Sequence, residues 1–205
     1  MRKFEKIKKY YMQNNKPNQP DYYLLGWESE AAQQQRFVAL VNDLNLDRKK
    51  ILDIGCGTGN LLQFLEQRFS GFEYTGVDIL EHMIAIAKSK NLKGTFLCID
   101  IFKENPFTYN EFDNVFASGI FNINLGNNKQ FIIDALGLFN SICKETISFN
   151  LLYDKSPNRE DKYFYTSPDE ICKLIEDNYS NHFKIKVIEG YLSNDFTVVC
   201  NKVNK

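Results

Sequence analysis

The sequence predicts an α/β fold in which helices cover both faces of a mostly parallel sheet. Strand-like and helix-like segments alternate from residue 51 to residue 175, and the first strand ends in a turn of alternating glycines. The chain closes with two strand-like segments that only residues 189–195 separate. Because parallel strands need a long crossover and antiparallel strands do not, this order indicates a parallel sheet that ends in a hairpin.

The predicted elements follow from apolar spacing and from the turn residues between them. Strands are predicted over residues 51–54, 72–77, 95–99, 112–117, 146–151, 183–188 and 196–200, and helices over 29–44, 61–69, 83–88, 131–143 and 168–175. Ser29 is a plausible cap for the first of these helices, and Pro168 opens the last.

Composition limits the class of protein. At 205 residues, the chain fits one domain with a full core, and its 43% hydrophobic and 25% charged residues are ordinary for a soluble protein. The net charge of −1 gives no overall reason to expect nucleic acid or a membrane as a partner. The five cysteines are scattered and form no Cys-x-x-Cys pair, and no signal peptide or membrane span is evident. We therefore expect a cytoplasmic protein.

The N-terminal region differs from the rest in charge. Residues 1–16 are basic and carry apolar residues at helical spacing. Residues 14–21 contain Pro17 and Pro20, which predict a linker there. The helix is interpreted either as an amphipathic surface helix or as a lid that meets an anionic substrate. We therefore divide the chain into residues 1–28, an N-terminal helix and linker, and a main domain over residues 29–205.

The segment Ile-Leu-Asp-Ile-Gly-Cys-Gly-Thr-Gly-Asn at residues 51–60 carries the strongest functional signal. Glycines between a strand and a helix let the backbone approach a nucleotide-like ligand closely. Because Asn60 follows Gly59, the spacing is Gly-x-Gly-x-Gly and not the dinucleotide pattern Gly-x-Gly-x-x-Gly. The segment resembles motif I of the class I S-adenosylmethionine-dependent methyltransferases.

This resemblance extends over residues 50–150, and the closing hairpin agrees with it. It implies a Rossmann-like, doubly wound sheet of seven strands in the order 3-2-1-4-5-7-6, with only the last strand antiparallel. It also implies S-adenosylmethionine as the cofactor and a methyl group as the group that is transferred.

Residues at the strand ends are the predicted cofactor ligands. The glycine loop is expected to meet the methionine portion and the ribose through Gly55, Cys56, Gly57, Thr58 and Gly59. Asp78 is expected to bind the ribose hydroxyls, although it could instead cap the helix that follows. The resemblance implies that Asp100 meets the adenine amine, that Ile79 and Ile101 lie against the ring, and that Asp53 orders the loop and reaches the cofactor amino group. Ser118, after the fourth strand, completes this set.

Two further candidates lie before motif I. The segments at residues 25–29 and 33–37 are similar to a less-described bacterial group of these enzymes, whose members often sit among surface-polysaccharide genes. There Trp27 is expected to close over the cofactor or substrate, and Arg36 to meet the methionine carboxylate. The alternatives are a core anchor for Trp27 and a solvated helix charge for Arg36.

The methyl acceptor is less well defined. Residues 117–124 lack the (Asn/Asp)-Pro-Pro-(Tyr/Phe) motif of amine methyltransferases and the Pro-Cys of cytosine methyltransferases, and no acidic metal cluster is evident. The resemblance to the bacterial group favours a small-molecule acceptor with a saccharide-like hydroxyl. Candidate substrate residues are Asn122, Asn124, Tyr163 and Tyr165, with loop capping as the alternative for the two asparagines. No catalytic base and no metal ligand are predicted.

Three other functions remain open at this stage. The basic N-terminus could contact RNA or a protein as the methylated target, although no added recognition domain is present. The chain could also bind the cofactor without catalysing transfer. A nicotinamide oxidoreductase is disfavoured by Asn60 and by the terminal hairpin. The sequence gives no indication of oligomeric state.

Overall fold

The computed structural model describes residues 3–14 and 19–203. The strands are β1 (Lys50–Ile54), β2 (Glu73–Asp78), β3 (Thr95–Cys98), β4 (Phe112–Ala117), β5 (Cys143–Tyr153), β6 (Tyr165–Thr166), β7 (Phe183–Ile188) and β8 (Asp195–Lys202). The helices are α1 (Lys3–Asn14), α2 (Asp21–Leu24), α3 (Glu30–Leu40), α4 (Asn60–Glu66), α5 (Glu81–Ser89), α6 (Asn128–Ile142) and α7 (Pro168–Tyr179).

The strands form one sheet in the order β3-β2-β1-β4-β5-β8-β7. The pairs from β3 to β5 are parallel, whereas β8 runs antiparallel to both β5 and β7. The predicted fold class and strand order are therefore confirmed. The sequence did not predict β6, a two-residue strand that pairs with β5 and is too short to show a pattern.

Helices cover both faces of the sheet, as a doubly wound sheet requires. On one face, Leu136 and Phe139 of α6 pack in a buried cluster with Val115 and Phe149. On the other face, a second cluster joins residues of α3, α4 and α5, with Phe37 and Phe64 at its centre (ring centroids 5.5 Å apart). Burying such a side chain stabilises the fold by roughly 1.5–3 kcal/mol, and these two clusters fix the strand ends in space.

Three predicted boundaries need correction. The linker over residues 14–21 ends too late, because α2 begins at Asp21; residues 15–18 lie outside the described part of the chain. Strand β5 starts directly after α6 at Cys143, since no glycine or proline separates the two elements. The predicted helix over residues 29–44 ends too late, because α3 ends at Leu40 and residues 41–43 form a turn.

The N-terminal segment packs over the carboxyl ends of the strands. The predicted amphipathic helix is α1, and Tyr11 joins a small apolar cluster around Leu24, Leu80 and Met83. The Lys6 ammonium donates to the main-chain oxygen of Asn124, on the loop after β4. Helix α1 therefore lies on the edge of the sheet where parallel strands place ligand-binding residues.

Candidate active site

A cavity of about 790 Å³ lies at the carboxyl ends of β1, β2 and β4. Its walls come from the glycine loop, the residues after β2 and β3, the loop after β4, one side of α6, and α1. Parallel sheets bind ligands at this edge, where the strand order reverses between β1 and β4.

The glycine loop shapes one wall through its backbone. Gly55 and Gly57 have φ angles of +75° and +53°, a region that L side chains rarely adopt. A Cβ atom at Gly55 would lie 2.4 Å from Cγ2 of Ile120, and one at Gly57 would lie 2.5 Å from Cδ2 of Leu25. Only glycine therefore allows this turn to form beside those neighbours. The backbone is left open to a ligand, which fits the predicted cofactor.

Asp78, the last residue of β2, ties two of these elements together. Its Oδ2 atom accepts a hydrogen bond from the Gly57 amide at 3.0 Å, and its Oδ1 atom accepts one from the Leu80 amide at 2.9 Å. Burial raises the pKa of this carboxyl group, and both amides oppose that rise. Because each carboxylate oxygen has a further lone pair, Asp78 can still accept bonds from a ligand in the cavity that it lines. The N-cap of α5 is Leu80, so Asp78 does not cap this helix, and its contact with the ribose stays a prediction.

Asp53 lies inside β1 and lines the floor of the cavity. Its carboxyl group is 2% exposed and accepts a hydrogen bond from the Tyr74 hydroxyl at 2.6 Å. Burial raises its pKa to about 7, and the Tyr74 bond opposes the shift. Asp53 therefore titrates near neutral pH, where its charge responds to a cationic group placed beside it.

The predicted adenine residues also meet at the cavity. Asp100, Ile101 and Ile79 all line it, and Ile101 is almost fully buried. The Asp100 carboxylate forms an ion pair with Lys103 at 3.4 Å and accepts a hydrogen bond from the Phe102 amide at 3.3 Å. One wall therefore combines a carboxylate with apolar side chains.

Four more of the predicted residues line the cavity, namely Gly55, Cys56, Gly57 and Ser118. Two others, Thr58 and Gly59, do not line it. The hydroxyl of Thr58 instead donates to the Asp21 carboxylate at 3.1 Å, which attaches α2 to the glycine loop. Gly59 is the N-cap of α4, with a φ angle of +81°.

Arg36 occupies a different place from the one expected. It is 2% exposed, so it is not a solvated charge, and the structure pairs it with the buried Asp195 of β8. Its guanidinium lies 4.4 Å from the centre of the Trp27 ring. Trp27 lines the cavity, whereas Arg36 does not. A buried carboxylate needs such a partner, and Asp195 is 159 residues away along the chain. No pattern in the sequence indicates this pairing.

The four predicted substrate residues do not line the cavity. The Asn124 side chain caps its own loop, with Oδ1 accepting from the Gly126 amide at 3.0 Å and Nδ2 donating to the Asp161 carbonyl at 3.1 Å. Asn122 is nearly buried. The Tyr163 hydroxyl is 2.7 Å from that of Tyr10, and the Tyr165 hydroxyl accepts from the Glu160 amide at 3.0 Å. The alternative of loop capping describes Asn124 well.

Other residues of the site were missed by the sequence. Helix α1 contributes Ile7 and Tyr11, and α6 contributes Phe131 and Leu138. These are apolar positions of amphipathic helices, and nothing in the pattern distinguishes a cavity wall from core packing. Asn150 also escaped notice: it accepts from the Gly119 amide at 2.9 Å and donates to the Ser118 hydroxyl at 3.2 Å. A buried asparagine within the apolar strand β5 was the available signal.

Comparison with known proteins agrees with this geometry. Residues 51–136 match a family model described as a methyltransferase domain. A protein of Mycobacterium tuberculosis, named as a methyltransferase without a stated acceptor, is 28% identical over 167 residues, covering 77% of this chain and 96% of that protein. The malonyl-[acyl-carrier protein] O-methyltransferase of Bacillus cereus is 35% identical over 107 residues, and the match covers 47% of this chain but only 39% of that enzyme.

Solved structures show the same fold. Magnesium protoporphyrin IX methyltransferase from Synechocystis PCC 6803, with bound SAH, has a TM-score of 0.65 at 17% identity and covers 98% of this chain and 94% of its own. An S-adenosylmethionine-dependent methyltransferase from Clostridium acetobutylicum has a TM-score of 0.64 at 15% identity, covering 98% and 99%. The match over residues 51–136, the strand order and the glycine loop together indicate an S-adenosylmethionine-dependent methyltransferase. Which of the predicted residues hold S-adenosylmethionine stays a prediction.

In residues 3–14 and 19–203, no helix is long and apolar enough to cross a membrane. Within the same residues, no group of three His, Cys, Asp or Glu side chains is arranged to hold a metal ion.

Proposed function

We propose that this methyltransferase acts on a small-molecule acceptor that it encloses beneath α1. The observation that carries this proposal is the position of α1, which puts Ile7 and Tyr11 into the wall of the same cavity that the glycine loop lines. A site covered in this way suits a small molecule better than a folded macromolecule, whose reactive group would have to pass beneath the helix. The exposed Lys8 and Lys9 of α1 are the feature that an RNA or protein target would use.

The residues that would hold the cofactor fit its parts. The backbone at Gly55 and Gly57 is open to the methionine portion, the Asp78 carboxylate can accept from the ribose hydroxyls, and Asp100 with Ile101 provides a wall for adenine. When bound, S-adenosylmethionine supplies a methyl group that is already activated. The side chains of the protein then mainly have to orient the acceptor and exclude water, and these tasks do not require a strong base.

We also propose that residues 1–28 act as a cover and not only as a surface helix. The Tyr10 hydroxyl bonds to Tyr163, the Leu25 side chain packs on Gly57, and Lys6 bonds to the main chain at Asn124. These three contacts attach the segment to both sides of the cavity. The predicted division of the chain between residues 28 and 29 would separate this cover from the main domain.

The identity of the acceptor is a separate question. The relatives with a named acceptor act on molecules as different as magnesium protoporphyrin IX and malonyl-[acyl-carrier protein]. A saccharide hydroxyl, as the resemblance to the bacterial group suggested, is one candidate for this chain. The cavity lining is a more direct guide to the acceptor, because binding requires that its chemistry match the walls.

Calorimetry with S-adenosylhomocysteine tests the donor half of the proposal, with NADH as the comparison ligand. We expect S-adenosylhomocysteine to bind and NADH not to bind; the reverse result would contradict the assignment. The acceptor half is tested by methyl transfer from labelled S-adenosylmethionine into fractions of a cell extract. Label should appear in the low-molecular-weight fraction, whereas label in RNA or protein would favour the macromolecular alternative.

A further inference from the structure

The cavity extends beyond the predicted cofactor residues and runs along one side of α6. Phe131, Asp134 and Leu138 lie three and four positions apart on this helix, so they share one face, and all three line the cavity. That face is open because the connection from β3 to β4 makes only turns there. The cavity therefore continues into a groove beside α6, which we call the α6 groove and define by Ile7, Ile123, Leu125, Phe131 and Leu138.

The walls of the α6 groove are apolar. All five defining side chains are hydrocarbon or aromatic, and Ile123 and Phe131 are already more than nine-tenths buried. Phe102 is 40% exposed at its edge, with its ring centroid 5.0 Å from that of Phe131. The charged and amide lining residues Glu5, Lys103, Asn105 and Asp134 are exposed and lie where the cavity meets solvent. The groove thus has an apolar interior and a polar mouth.

We propose that the α6 groove binds the apolar chain or ring of the methyl acceptor. This inference rests on the proposed function, because the groove and the cofactor residues line one continuous cavity. A sugar in the groove would lose hydrogen bonds to water that isoleucine, leucine and phenylalanine cannot replace. An apolar body gains from burial against the same walls, and its reactive polar group can remain at the cofactor end.

The test uses primary alcohols as neutral probes whose apolar length can be varied. Butanol, hexanol and octanol are titrated into protein saturated with S-adenosylhomocysteine, and glucose is titrated as the polar comparison. We expect affinity to increase by roughly fourfold for each methylene that enters the groove, the equivalent of about 0.8 kcal/mol per CH₂. Affinity that does not change with chain length, or glucose binding more tightly than octanol, would overturn the proposal.

A matched pair of variants locates the binding. Leu138 and Leu174 are both partly buried leucines packed on the same core cluster, but only Leu138 lines the cavity. We expect Leu138→Ala to weaken octanol binding by about tenfold and to leave S-adenosylhomocysteine binding unchanged, whereas Leu174→Ala changes neither. Equal effects of the two substitutions on octanol would place the probe elsewhere and contradict the assignment.

The same measurements separate this inference from the proposed function. Binding of S-adenosylhomocysteine together with a flat alcohol series would reject the α6 groove and keep the methyltransferase site. Failure of S-adenosylhomocysteine to bind would reject the donor site, and the alcohol series repeated on the protein alone would still decide whether the groove prefers apolar chains.

Discussion

The two ends of the cavity, which we propose hold the methyl donor and the methyl acceptor, are built in different ways. We call them the donor end and the acceptor end. At the donor end, short segments at the ends of neighbouring strands supply backbone amides and carboxylates, as at Gly57 and Asp78. At the acceptor end, side chains come from α1 and from the loop after β4 with the α6 helix that follows it, which lie far from α1 in the chain. The first arrangement is local and visible in the sequence. The second depends on tertiary packing, so two chains with the same donor end can have different acceptor sites.

The two ends also differ in electrostatics. Asp53 and Asp78 are buried carboxyl groups whose pKa values are raised by burial, and both line the donor end. The α6 groove has charged groups only at its mouth. Changes of charge should therefore affect cofactor binding, whereas changes of apolar volume should affect the acceptor.

The largest expected effect concerns Arg36, which joins α3 to β8 through its ion pair with Asp195. Arg36→Leu leaves the Asp195 carboxylate buried without a partner, so we expect the free energy of unfolding to fall by roughly 3–5 kcal/mol. The double variant Arg36→Leu/Asp195→Leu removes both charges and should recover most of this loss. Denaturant unfolding measures both. If the double variant binds S-adenosylhomocysteine far more weakly than the parent, Arg36 belongs to the donor end after all.

The next effect tests the donor end directly. Asp78→Ala should weaken S-adenosylhomocysteine binding by roughly 1–3 kcal/mol, because it removes the acceptor for the Gly57 amide together with any bond to the ribose. Asp113→Ala is the matched control: that carboxylate also accepts a backbone amide, from Lys50 at 2.7 Å, but it does not line the cavity. Calorimetry that finds the two variants alike would remove Asp78 from the site.

The dependence of affinity on pH should distinguish the ends as well. The pKa of Asp53, about 7, means that it is mostly protonated at about pH 6 and mostly ionised at about pH 7.5. If Asp53 meets the cofactor amino group, affinity for S-adenosylhomocysteine should increase by roughly fivefold over this range, because the ionised carboxylate binds the ammonium group. Burial also raises the pKa of Asp78, so the Asp53→Asn variant is needed to separate the two carboxyl groups. A slope that survives in this variant would exclude Asp53 as the cause.

The donor end of the cavity could be predicted from the sequence, whereas the acceptor end could not. The strands at Phe112–Ala117 and Phe183–Ile188 were predicted to the residue, because turn residues or polar segments bound them on both sides. Asp78 and Asp100 were placed correctly at the cavity, since the end of a parallel strand fixes the location of the next residues. The pairing of Arg36 with Asp195, and the wall that α6 provides, depend on contacts between distant segments. No periodicity records such contacts, so the acceptor end could not be read in advance.

The smallest expected effect decides whether α1 is a cover or only a surface helix. Tyr163→Phe removes one partner of the 2.7 Å bond to Tyr10, worth about 0.5–1.5 kcal/mol, and should speed release of S-adenosylhomocysteine by about fivefold. Trp27 is the single tryptophan of the chain and lies in the cavity wall, so its fluorescence can follow this release. Tyr165→Phe is the control, because that hydroxyl bonds only within its own loop, to the Glu160 amide. If both variants release the ligand at the parent rate, the contacts of α1 do not restrain the cavity, and the helix is a surface element.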